Sequence, residues 1–122
     1  MQRHRLLSLD LATRLGWAFG DAFEGEPVSG SFLLPSTGDD IGAFLKAYHL
    51  WLIARVAEFQ PDIITMEAPL AATTKTTQTT LLKLWGLCSH TEFVAAFKGL
   101  ACRQIAGGER KQGFVGRAGF GK

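Results

Sequence analysis

The chain has 122 residues, the size of one compact domain. Hydrophobic residues make up 47% and charged residues 20%, which excludes a disordered chain. Thirteen Lys and Arg against eleven Asp and Glu leave +2, too little for a polybasic protein. Arg55, Asp62 and Lys83 interrupt the most apolar stretches, so no run reaches the roughly 18 residues of a membrane helix. No signal peptide is readable at the N-terminus, and the expected location is the cytoplasm, with no membrane partner. Cys88 and Cys102 match no CxxC or zinc spacing and read as buried free thiols.

Residues 5–10, Arg-Leu-Leu-Ser-Leu-Asp, form an apolar run that ends in an acid. A buried strand reads this way when its last residue emerges at a sheet end. Leu15–Gly20 and Val28–Leu34 are the next strand candidates, joined across the polar turn Asp21–Pro27 as a hairpin. Gly30 weakens the third strand or marks a bulge. The segment Pro35-Ser-Thr-Gly-Asp-Asp announces a helix, with Thr37 or Asp39 as its cap. Ile41, Phe44, Leu45, Tyr48, Leu52, Val56 and Phe59 then recur at spacings of three and four, and Pro61 ends the pattern.

Ile63-Ile64-Thr65-Met66-Glu67 is a second buried strand that finishes on an acid. Residues 68–78 are a threonine-rich loop with Lys75 in the middle. A helix over 79–97 follows, with Gly86 inside it for close packing, and then a weaker strand over 100–105. The order β-β-β-α-β-α-β is that of a layered α/β domain.

Charge is uneven along the chain. Residues 1–99 carry eight basic and ten acidic side chains, net −2, whereas residues 100–122 carry five basic and one acidic, net +4. The tail 106–122 is also rich in glycine. Such a segment fits two readings: backbone N–H groups and cations that approach phosphates, or a solvated terminus.

Asp10 and Glu67 are the pair to explain. Each ends an apolar strand, and a long helical crossover between them favours a parallel relation. On neighbouring strands about 4.8 Å apart, their carboxylates would stand side by side at the end where open α/β sheets bind ligands. Two such acids repel unless a cation stands between them, and Mg²⁺ prefers oxygen ligands. Two surface acids at strand ends are the plain alternative. His4, His49 and His90 share no metal-ligand spacing, and a structural role is expected for all three. Trp17, Trp51 and Trp85 are expected to pack rather than stack on bases.

The segment LLSLDLATRLGWAF resembles the first motif of the RuvC-type Holliday junction resolvases of the RNase H-like superfamily, with Asp10, Thr13, Gly16 and Trp17 in its places. FQPDIITMEAP resembles the second motif, with Glu67 as its acid. LKLWGLC around Gly86 echoes the small-residue element of the following helix, and FVGRAGFGK looks like the glycine- and lysine-rich segment after the fifth strand. The likeness covers essentially the whole chain and is closest to short phage or prophage relatives. Two departures stand out. Leu11-Ala12 replaces the usual Pro-Gly, and no acid follows Glu109 where the family places two more on a further helix.

The resemblance implies one RNase H-like domain over 1–122, with a mixed five-stranded sheet flanked by helices and short at its C-terminal end. It implies a Mg²⁺-dependent (or Mn²⁺-dependent) endonuclease that cleaves Holliday junctions in DNA recombination and repair, working as a homodimer. Asp10 and Glu67 would be catalytic and hold the metal. Thr13, Lys75, Arg110, Lys111, Arg117 and Lys122 would contact DNA. The incomplete acid set implies weak cutting, or a branched-DNA-binding module or fragment that does not cut. Nucleotide-binding relatives of this fold need glycine-rich phosphate loops and a second domain, for which 122 residues are too few.

Overall fold

The computed structural model describes residues 5–21, 24–67 and 77–105. The elements run β1 (Arg5–Asp10), β2 (Arg14–Asp21), β3 (Glu24–Leu33), α1 (Ile41–Phe59), β4 (Ile63–Glu67), α2 (Gln78–Lys98) and β5 (Ala101–Ile105). They form one mixed five-stranded sheet in the order β3-β2-β1-β4-β5. The first three strands are antiparallel neighbours, while β4 runs parallel to both β1 and β5.

The helix ends follow local chemistry. Asp40, one residue beyond the expected cap, accepts the Ala43 N–H at 2.9 Å, while the Thr37 hydroxyl donates to the Asp40 carbonyl at 2.8 Å. Gln60 closes α1 in the left-handed region, at φ 50°, and its N–H returns to the Val56 carbonyl. Pro61 cannot continue the helix. Thr77 caps α2 by accepting the Thr80 N–H at 3.1 Å. Gly99, at φ 75°, ends that helix where a side chain would be strained.

Both helices pack on the same sheet face. Leu7, Leu9, Leu15, Ile64 and Met66 point into the core they cover, with Phe44, Tyr48, Leu52, Leu87 and Val94. Trp17 and Phe19 of β2 meet Phe59 of α1, at ring centroid distances of 5.6 and 4.5 Å. A Cβ on Gly86 would come within 3.2 Å of Leu45, so this glycine lets α2 approach α1 closely, as its place in the sequence suggests. Tyr48 and Thr91 join the helices by a buried hydrogen bond of 2.5 Å, and burial pushes the Tyr48 phenol well above its ordinary range. His49 Nδ1 and His90 Nε2 make a second link, at 2.7 Å, which gives these two histidines the structural place expected of them. Cys88 is buried and Cys102 half-buried, both free. Burial pushes both thiols up, that of Cys102 to about 11.

Candidate functional site

The register of β1 against β4 is fixed at their shared start. The Arg5 backbone N–H donates to the Asp62 carboxylate at 3.0 Å, and the Asp62 N–H donates to the Arg5 carbonyl at 2.8 Å. The Arg5 guanidinium donates to the carbonyls of Phe59 and Gln60 at the end of α1. This knot aligns Leu6 with Ile63. Both strands then run five residues and end level, with Asp10 opposite Glu67. The neighbouring parallel strands expected from the sequence are present, and adjacent strands lie about 4.8 Å apart.

Alternation decides which face the acids occupy. Leu7 and Leu9 are 0% and 3% exposed beneath the helices, so Leu6, Ser8 and Asp10 point to the opposite face. Ile63, Thr65 and Glu67 share that face, as do Gly16 and Ala18 of β2. Neither described helix covers it. The middle of the face is built from small side chains, and Asp10, Glu67, Ser8, Thr65, Ala18 and Ile105 line a cleft of about 310 Å³ there. Asp10 is exposed and Glu67 half-buried. One row below them the Thr65 hydroxyl donates to the Ser8 hydroxyl at 3.1 Å, tying β4 to β1.

Two carboxylates converging on a cleft are the oxygen-rich, negative donor set that a hard divalent cation takes. Among the described residues no group of three or more His, Cys, Asp and Glu forms a larger metal cluster. Thr13 is exposed in the turn that follows Asp10, and its backbone carbonyl accepts the Leu34 N–H at 2.8 Å. Lys75, Arg110, Lys111, Arg117 and Lys122 lie outside the described residues. Two further cations stand on the open face: Arg14 on β2 and Arg103 on β5, both exposed. Their signal in the sequence is the period of two, counted from Gly16 and from Ile105.

No family model and no curated protein sequence matches this chain. Solved structures do. "T. thermophilus RuvC in complex with Holliday junction substrate" superposes with a TM-score of 0.70, covering 97% of this chain and 79% of that one at 15% identity. A further Thermus thermophilus RuvC structure gives 0.63, over 96% and 80% of the chains at 14% identity. The yeast mitochondrial Holliday junction resolvase Ydc2 gives 0.56, over 84% of this chain and 53% of that one, at 12% identity. The fold is thus the RNase H-like fold of the RuvC-type resolvases.

Proposed function

We propose that this chain is a metal-dependent endonuclease that cleaves branched DNA of the Holliday junction type. The observation that carries the reading is the level pairing of Asp10 with Glu67 on the sheet face that the described helices leave uncovered, in a fold shared with junction resolvases. Asp10 and Glu67 would hold Mg²⁺, with Mn²⁺ as a substitute. When bound, such an ion would supply Lewis acidity, which polarises the phosphate and makes a water easier to deprotonate for attack on it. The protein's own part is orientation. The Arg5–Asp62 knot fixes the row in which the two carboxylates stand, and the Ser8–Thr65 bond braces the row beneath. Thr13, Lys75 and the basic residues Arg110, Lys111, Arg117 and Lys122 are read as phosphate contacts, within one nuclease domain acting on DNA in the cytoplasm.

A four-way junction has two symmetric strands to cut, and a twofold dimer matches that symmetry. The homodimer draws support from α2. Leu82, Trp85, Phe93 and Phe97 stay 51%, 45%, 59% and 77% exposed along it, and Phe93 and Phe97 stack on each other at 6.1 Å.

The reading is tested by fluorescence anisotropy with a labelled four-way junction and a linear duplex of the same sequence. Preference for the junction by tenfold or more supports it. Equal affinity for the two removes the structure-selective claim.

A further inference from the structure

Along β1, β2, β4 and β5 four charged side chains stand on the open face: Asp10, Glu67, Arg14 and Arg103. Their placement follows from the ladder. Arg103 is the register partner of Thr65, so it lies one strand outside Glu67 and two residues short of the acid row. Gly16 is the partner of Asp10 on the antiparallel β2, so Arg14 lies one strand outside Asp10 and two residues beyond that row. The two arginines therefore sit on opposite flanks and on opposite sides of the row. The line between them passes through the acid pair.

The spacing is regular. One and a half strand separations sideways and two residues along the strand put each arginine Cα about 10 Å from the midpoint of the acid pair. A guanidinium reaching inward and one phosphodiester step reaching outward close such a gap between them. Among the described residues neither guanidinium is engaged in an ion pair or hydrogen bond. Arg5 and Arg55 serve as a contrast. Arg5 is spent on the carbonyls at the end of α1, and Arg55 pairs with Glu58 on the helical layer.

We infer that Arg14 and Arg103 are the two phosphate anchors of the site, gripping the backbone of one DNA strand on either side of the phosphate presented to Asp10 and Glu67. The inference rests on the nuclease reading and gives it a direction. The bound strand crosses the sheet obliquely, from β5 over β4 and β1 to β2. Electrostatics favours such a pair. Two carboxylates repel an approaching polyanion, and cations placed on the neighbouring phosphates offset that repulsion without neutralising the acids that take the metal. Arginine suits the task because its planar fork grips a phosphate through two hydrogen bonds.

The test measures binding of a fluorescein-labelled four-way junction to the full chain in EDTA, across a series of NaCl concentrations. Arg14→Ala and Arg103→Ala should each flatten the slope of log K against log salt by about one, and the double variant by about two. Arg103→Lys should restore most of the slope, since it restores the charge. Arg55→Ala should leave the slope as it is. A neutral methylphosphonate placed next to the branch should weaken the wild type at two positions, one of which becomes silent in Arg14→Ala and the other in Arg103→Ala. Wild-type slopes in both alanine variants, with junction binding intact, would overturn the arginine assignment and leave the nuclease reading standing. Failure of the wild type to bind junction or duplex would overturn both.

Discussion

The hydroxyl of Thr65 donates to that of Ser8 across the parallel β1–β4 pair, one row beneath Glu67 and Asp10. Thr65 is buried, and this bond gives its hydroxyl a partner. Thr65→Val keeps the branched shape and deletes the donor. The expected cost is about 1 kcal/mol of folding stability, read by urea denaturation. A variant as stable as the wild type would show that the bond contributes nothing to holding the two strands together.

His90 ties the helices and sets a pH dependence. Burial first, and His49 second, hold its imidazole below the ordinary value of 6.5. Above about pH 6.5 the ring is neutral in both the folded and unfolded chain, and the folded state keeps its full stability. As pH falls below that value the unfolded chain takes the proton first. Stability is therefore lost downward from 6.5 to the depressed folded value. Urea melts at pH 7.5 and 5.5 should show a larger loss for the wild type than for His90→Gln. Equal losses would mean that His90 is not perturbed by folding.

The stripe on α2 makes the assembly testable. Phe93→Ser with Phe97→Ser removes two exposed rings that stack on each other, Phe93 also meeting the His90 ring. Sedimentation equilibrium should give a dimer for the wild type and a monomer for the double variant, with its helical circular dichroism unchanged. A monomeric wild type would remove the dimer and leave the stripe without an occupant.

Much of this arrangement is legible in the sequence because its strands announce their ends. Arg-Leu-Leu-Ser-Leu-Asp and Ile-Ile-Thr-Met-Glu are apolar runs that stop at an acid, and the helix between Asp40 and Phe59 makes their parallel pairing the economical topology. Other features depend on distant partners. β3 begins at Glu24, inside a stretch that reads as a turn, because an edge strand hydrogen-bonds on one side only and tolerates Pro27. Gly30 reads as a weak point or bulge. In the fold it lies under Trp17, whose ring is 3.0–3.1 Å from where a Cβ would stand, so the glycine makes room for the indole. The His49–His90 contact joins residues 41 positions apart and has no local signature. Which sheet face the described helices leave uncovered is also hidden, because it is set by both crossovers together, and with it the shared placement of Arg14 and Arg103.

Single-turnover cleavage of an end-labelled four-way junction, with the full chain in excess and Mg²⁺ or Mn²⁺ supplied, tests the account most directly. The expected result is nicking that requires the divalent ion, slow for a nuclease since two carboxylates anchor one ion more readily than two. Asp10→Asn and Glu67→Gln should each lower the rate by 100-fold or more while leaving junction binding in EDTA intact. Nicking that survives Asp10→Asn at the wild-type rate would contradict the role of the acid pair. Junction binding without any metal-dependent nicking by the wild type would contradict the nuclease and leave a branched-DNA-binding protein in its place.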